Sequence, residues 1–357
     1  MLEDPGANSA RPSFISSLRD DVWHGRAGRH SFERWHFDAL SDDGREALII
    51  SFYDNYPFSP RYFKSSPVAD DDANAGHYPA VTFLYAVDGR IVMQAVNEWS
   101  VDHFSAMTDN VKCSIGESYF RVEKANYGSG YMVHIEAMTP RKRQIVADVE
   151  WLSIESDLLV DPKGAESPSM AWNLVAPRSD VSGRITRTGV GGRSKKVVHF
   201  RGTGYHDHFQ SRHSRLETVG RRCWGRAHFA DTTAVFQYLE HDTEGDESGR
   251  IVLIQDGSII GRDARFTISG QNLDRKGREA EFDGGEHCKI NIRSISPIQR
   301  GFFERRMLSE VTLTLPDGKA RTTEGIVEYC NPKGMQNPVY RWMADLRIGR
   351  NGNSGYF

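Results

Sequence analysis

Long apolar runs are missing from this chain of 357 residues. None approaches the roughly 20 consecutive apolar residues of a membrane-spanning helix, so bilayer contact is expected at most at the periphery. Closely spaced cysteines are missing too. Cys113, Cys223, Cys288 and Cys330 are far apart and form no CxxC pair, which argues against a thiolate zinc site or a redox dithiol. Reduced structural thiols in a cytoplasmic protein are the expectation. No charge of one sign dominates: 45 Lys and Arg stand against 48 Asp and Glu, for a net charge of -3. No general attraction to nucleic acid follows, and clusters such as Arg141-Lys142-Arg143 read as solvated loop charges. The opening residues Met1 to Ala10 lack a basic region followed by an apolar one, so no secretory signal is expected. Residues 1–25 are expected to form a flexible N-terminal segment.

Helical periodicity is also scarce. Two short helices are expected, one over Ser13 to Asp21 and one over Asn97 to Phe104. Most apolar runs are short, rich in β-branched and aromatic residues, and bounded by turn signals, as strands are. Leu48 to Tyr53, Val81 to Val87, Arg90 to Val96 and Ala234 to Leu239 are of this kind. Asp-Gly pairs at Asp88-Gly89, Asp256-Gly257 and Asp317-Gly318 predict hairpins with type I′ turns. A chain of hairpins closes most readily into antiparallel sandwiches or barrels, which hide sheet edges.

The length is best divided between two cores. Trp35-His-Phe37, the strand at Leu48 and the Asp88-Gly89 hairpin recur in order as Ala227-His-Phe229, the strand at Ala234 and the Asp256-Gly257 hairpin. A tandem repeat is therefore expected, with one barrel over 26–162 and a second over 170–357. The boundary falls in the Pro-, Gly- and Ser-containing stretch 161–169.

Chemistry concentrates in Gly202-Thr-Gly-Tyr205-His206-Asp207-His208-Phe209. On a strand, Tyr205, Asp207 and Phe209 share one face, and His206 and His208 the other. Three readings compete. Asp207 is a buried acid with a raised pKa, lined by Tyr205 and Trp172; or His206 and His208 are half of a metal site; or the whole cluster is a hydrogen-bonded strand end. The metal reading lacks support, because no carboxylate stands at the cupin spacing after His208, where Arg212 and then Glu217 follow. Glycines at 202 and 204 permit close backbone approach, which favours a site. Glu98 and Glu328 are further carboxylates that local sequence does not separate from solvated strand residues. Gly189-Val-Gly-Gly reads as a hairpin loop, not a phosphate cradle, and no Gly-x-Ser-x-Gly elbow is present.

These residues resemble a known group. Trp35-His-Phe37, Trp172-Asn173 through Pro177 and Gly183, and Gly204-Tyr205-His206-Asp207-His208 are similar to segments of the carotenoid 1,2-hydratase (hydroxyneurosporene synthase) and AttH-like proteins, a group that includes the decalin-forming Diels-Alderases. The resemblance covers most of the chain. It implies an all-β protein of two tandem lipocalin-like antiparallel barrels with a few short helices, an apolar substrate held in or between them, and no metal or organic cofactor. It also implies that Asp207, with Tyr205, donates a proton or a hydrogen bond; His206 and His208 are expected to orient Asp207 or share its proton. Trp172, Asn173, Trp35, Trp224 and Tyr238 are the expected pocket residues. The expected function is cyclisation or isomerisation of a polyene, polyketide or terpenoid intermediate. Alkene hydration with Asp207 as proton donor and non-catalytic carriage of a lipophilic ligand are the alternatives. The protein is expected to be a monomer or homodimer without a nucleic-acid partner.

Overall fold

Strands that alternate apolar residues, and bury both sets, build two curled sheets packed against each other. The computed structural model describes residues 12–26, 28, 30–64, 77–125, 128–140, 142–160, 167–192, 194–212, 220–240, 247–268 and 279–356. The first sheet has 13 strands, with Phe32–Ser41, Lys195–Ser211 and Ser167–Thr188 side by side at its centre. The meander Phe32–Ser41, Glu46–Tyr53, Ala80–Val87 and Arg90–Glu98 runs to one side, and strands Gln144–Glu155 back to Phe104–Ala106 to the other. The second sheet has 10 strands and repeats the plan. Its meander Arg222–His228, Thr233–Glu240, Glu247–Gln255 and Ser258–Asp263 meets the strands Ala320–Cys330 back to Arg265–Ile268. In both sheets the first strand of the meander pairs with the last long strand of its half, so the repeat read from sequence is a repeat of topology. The fold is all-β and lipocalin-like.

The division between the sheets lies between Ser211 and Arg222. Ser167–Thr188 and Lys195–Ser211, expected to open the second barrel, instead complete the first sheet. The reason is pairing: residues 202–211 run antiparallel to 32–41, and Gln144–Glu155 runs along Ser167–Thr188. Residues 161–166 of the expected linker lie outside the described residues. Three short strands pair in parallel, and two of them tie the halves together. Leu159–Val160 joins the second sheet and Gly349–Arg350 joins the first, while Pro12–Ile15 lies along Ser167–Thr188.

Alternation divides the core into layers. Leu48, Ile50 and Phe52 point into the first barrel with Trp35, Phe37 and Trp151, whereas Ile49 points toward Ile298 and Ile326 of the second half. Ala234, Phe236 and Tyr238 fill the second barrel, while Val235, between the first two, packs with Trp172, Tyr205 and Trp224 between the sheets. A strand buried on both faces reads as a continuous apolar run. All four cysteines are buried free thiols.

Neither expected helix forms. Pro12–Ile15 is a strand because Phe14 packs edge-on against Trp172, with ring centroids 5.6 Å apart, and Ser13 Oγ donates to Met170 O at 3.2 Å. Residues 16–26 then cross the mouth of the first barrel, where Leu18, Val22 and Trp23 pack on its core. Asn97 and Glu98 end a strand, and Val101–His103 is a single 3-10 turn. Among the described residues the α-helices are Pro60–Lys64 and Pro338–Arg347. The second carries a legible start signal, since Asn337 caps Val339 N–H and Pro338 follows the cap. Among the described residues no helix is long and apolar enough to cross a membrane. Two Asp-Gly hairpins have positive φ at both residues, 49° and 71° at Asp88-Gly89 and 51° and 74° at Asp256-Gly257. At Asp317-Gly318 only the glycine does, because Leu315 N–H bonds to Lys319 O and makes a longer loop.

Gly204 carries a packing prediction. A Cβ there would meet Trp151 Nε1 at 2.5 Å and the Val181 side chain closer still. Gly204→Ala is expected to destabilise the protein by about 1–3 kcal/mol, as overpacking does, read as a lower urea midpoint at unchanged slope.

Candidate functional site

Lys195–Ser211 runs between Phe32–Ser41 and Ser167–Thr188, and its registers are Tyr205 to Asp38, His206 to Phe37, Asp207 to His36 and His208 to Trp35. The predicted alternation holds. Tyr205 and Phe209 face the second sheet with Trp172 and Trp224, and His206 and His208 face the interior of the first barrel.

The Tyr205 face is a field of buried ion pairs. Asp207 is 0 % exposed and accepts from Arg34 at 3.2 and 3.4 Å, from Trp172 Nε1 at 2.8 Å and from the Tyr205 hydroxyl at 3.0 Å. Burial disfavours the Arg34 charge, yet Asp207, then Tyr53, Glu328 and Glu304, more than compensate and hold it protonated. Burial, and then the Asp207 charge, pushes the Tyr205 phenol well up, so it serves as donor. Beside this set, Asp38 takes Arg226 Nε at 2.7 Å and His36 Nε2 at 3.2 Å. Burial outweighs Asp38 and lowers the His36 pKa. Within the second sheet, Arg306 Nε reaches Glu328 on the neighbouring strand at 3.0 Å, and Arg306 also contacts Glu304 at 3.3 Å.

On the opposite face, Asp21 of the segment 16–26 and Glu33 of strand Phe32–Ser41 bring acids to the histidines. His206 stacks flat on Phe37, with centroids 3.9 Å apart, and its Nε2 bonds to Asp21 Oδ2 at 2.9 Å while Nδ1 bonds to His36 O at 3.0 Å. Asp21 also accepts from the Tyr131 hydroxyl at 2.6 Å. Burial alone would raise Asp21, but His206 and His208 bring it down to about 2. His208 stacks on Trp35 at 4.5 Å and bonds through Nε2 to Glu33 Oε2 at 2.9 Å. Its Nδ1 lies 3.1 Å from Asp21 Oδ1, within ion-pair reach but at a poor hydrogen-bond angle. Burial opposes the His208 charge, and Asp21 and Glu33 overcome this to push its pKa up to about 9. Asp54, which accepts from Glu33 N–H at 2.6 Å, is pushed up to about 7 by burial and then by the Glu33 charge. The two histidines therefore do not make a shared metal half-site, because both His206 nitrogens are engaged. His208 instead groups with His24 and Glu33, whose candidate ligand atoms lie within 4.8 Å of one another.

The other expected pocket residues are dispersed. Trp172 and Trp224 sit with Tyr205 between the sheets, and Trp35 lies on the barrel side against His208. Tyr238 is in the second core, stacked on Phe266 at 4.4 Å. Asn173 pins the N-terminal segment, accepting Ser17 N–H at 2.9 Å and donating to Ser17 O at 2.8 Å. Glu98 and Glu328 are both buried, Glu98 bonding Arg350 Nε at 3.1 Å.

Sequence alone did not point to a cleft between the sheets and the C-terminal helix. It has a volume of about 80 Å³ and is lined by Tyr56, Phe58, Val96, Phe302, Phe303, Ala344 and Ile348, with Gln94, Gln299, Glu304 and Arg347 as polar neighbours. Phe58 stacks on Phe303 at 6.0 Å, and the Arg347 guanidinium lies 4.4 Å from the Phe302 ring centre. Burial, and then Glu304, raises the Tyr56 phenol well above its ordinary pKa. Glu304 Oε1 is buried and has no hydrogen-bond partner among the described residues. A protonated donor and a free acceptor in an apolar cleft form a minimal site for orienting a mostly apolar molecule. The only legible signal for it was the aromatic spacing of Tyr56 and Phe58.

Removing Asp207 would leave the Arg34 charge buried and unpaired. Asp207→Ala is expected to cost about 3–5 kcal/mol of stability, with much of it recovered in the double variant Arg34→Met/Asp207→Ala, as read by urea denaturation. For His208 the folded pKa lies above the ordinary value of 6.5. Its stabilisation is complete below pH 6.5 and is lost as pH rises through about 9. In chelated buffer the urea midpoint is expected to drop between pH 6 and pH 10, and to drop less in His208→Gln.

No protein-family model matches the chain. Hydroxyneurosporene dehydrogenase of Chlorobaculum tepidum is 21% identical over 356 residues, covering 93% of this chain and 90% of that protein. Among solved structures, an AttH-assigned protein of Nitrosomonas europaea superposes with a TM-score of 0.59 at 14% identity, over 92% of this chain and 98% of that one. CghA with Sch210972 gives 0.54 at 15% identity, over 85% and 89%. Kievitone hydratase of Nectria haematococca gives 0.53 at 9% identity, over 90% and 96%. The chain is thus similar along nearly its whole length to the hydroxyneurosporene-named relative and shares its fold with the AttH-assigned, CghA and kievitone hydratase structures.

Proposed function

We propose that the protein is a cofactor-independent enzyme of secondary metabolism that cyclises or isomerises an apolar polyene, polyketide or terpenoid intermediate in the cleft between its sheets. The observation that carries this reading is the pairing of Tyr56 and Glu304 Oε1 in an aromatic wall. Tyr56 donates a hydrogen bond to a substrate carbonyl, lowering the energy of the alkene conjugated to it, and Glu304 accepts from a hydroxyl or N–H. The aromatic rings hold the chain folded, which converts lost freedom into rate. Asp207 in this reading is a positioning residue: it fixes Arg34, whose field reaches Glu304.

Alkene hydration is the second reading, supported by the fold shared with kievitone hydratase and by the carotenoid-named relative. The two differ in where oxygen goes. Incubation with a panel of linear polyenes bearing a conjugated carbonyl, in 18O-labelled water, is expected to give an unlabelled product of unchanged mass. Uptake of labelled oxygen would overturn cyclisation in favour of hydration, and binding without turnover would leave a carrier. Tyr56→Phe is expected to lower kcat by about 100-fold, within the range for a lost acid or donor, without changing the melting temperature. An unchanged kcat would remove Tyr56 from the mechanism.

A further inference from the structure

We propose that His24, Glu33 and His208 form a site for a divalent transition-metal ion of the zinc or cobalt type at the mouth of the first barrel. The proposal is independent of the cleft. Glu33 Oε2 lies 2.9 Å from His208 Nε2 and 3.3 Å from His24 Nδ1, and all three ligand atoms fall within 4.8 Å of one another. Ligands at about 2.0–2.2 Å from zinc are separated by about 3.4 Å in a tetrahedron, so small side-chain movements close these donors around one ion. Two imidazoles and a carboxylate suit zinc or cobalt and leave a coordination position open.

Two further features separate this group from an ordinary buried ion network. Behind His208, Asp21 Oδ1 stands 3.1 Å from Nδ1. A small turn of the His208 ring would bring Nδ1–H onto this carboxylate, the arrangement that orients metal-bound histidines. In front, the His24 side chain is 35 % exposed while Glu33 and His208 are buried, so an ion has a route in and the open position faces solvent. The ion takes the place of the proton between His208 and Glu33, and His24 turns its Nδ1 lone pair toward it. Arg26 is the nearby opposing charge, held over the Trp23 and Phe104 rings at 5.6 and 5.3 Å. His24 lies on the segment that crosses the barrel mouth, whereas Glu33 and His208 belong to sheet strands. The ion would therefore fasten that segment to the sheet.

The test uses the full chain, stripped with chelator and titrated with Co2+ and with Zn2+. The expected result is one equivalent bound, a visible Co2+ spectrum of four or five coordination, and a melting temperature that rises with Zn2+. His24→Ala, at a half-exposed position that leaves the fold intact by circular dichroism, is expected to weaken binding at least 10-fold and to abolish the thermal shift. Glu33→Gln should do the same. Absence of a Co2+ spectrum and of Zn2+ binding in the unaltered chain, or undiminished binding in both variants, would overturn the proposal.

Discussion

A guanidinium taken out of water has to meet a carboxylate, and the central strands of both sheets are aligned around that requirement. Arg34, Arg226 and Arg306 are all buried and each ends on an acid: Arg34 on Asp207 and Arg306 on Glu328 of the neighbouring strand in the same sheet, and Arg226 of the second sheet on Asp38 of the first. Buried pairs of this kind add little net stability compared with apolar packing, because desolvation offsets the attraction. Their effect is on register. A strand slipped by one residue would turn Asp207 into the barrel and leave Arg34 alone in the interface, so the pairings select a single alignment of the central strands.

The same alternation gives the central strand two environments. Toward the second sheet it carries a saturated carboxylate among aromatic rings, and toward the first barrel it carries two imidazoles tied to Asp21 of the segment at the mouth and to Glu33 of the neighbouring strand. Neither environment is an empty pocket. Space for a ligand opens farther along the interface, where Tyr56 and Phe58 leave the first sheet, the 299–304 turn leaves the second, and the C-terminal helix covers both. The ion pairs and the cleft are connected, because Arg306 bridges Glu328 to Glu304 and Glu304 forms part of the cleft wall.

Local rules made much of the fold legible. Turn chemistry marked the Asp88-Gly89 and Asp256-Gly257 hairpins, period-two alternation assigned the faces of Tyr205 to His208, and the repeated order of motifs anticipated the repeated topology. What escaped was long-range. Arg34 and Asp207 are 173 positions apart, and no local pattern joins them. The stretch 161–169 looked like a boundary because proline and glycine interrupt strands, yet sheet membership is decided by pairing, and 167–211 pairs backward to residues 32–41 and 144–155. The helix expected over Ser13 to Asp21 failed because Phe14 gains more from packing on Trp172 than a short isolated helix gains in water. Of the site, the Tyr205 to His208 cluster was visible because its chemistry is consecutive. Asp21, Glu33 and Asp54, and the cleft residues Tyr56 and Glu304, were not, since each acquires meaning only from partners brought together by the fold.

The central claim is that ligand chemistry belongs to the cleft beside Tyr56 while Asp207 holds the central strands of the first sheet in register. A crystal structure with a bound apolar polyene analogue tests this most directly. The account predicts ligand density between Phe58, Phe303 and Ile348, with a polar end at Tyr56 or Glu304 and the Asp207–Arg34 pair undisturbed. Density inside the first barrel, or a ligand polar group on Asp207 in place of Arg34, would contradict it.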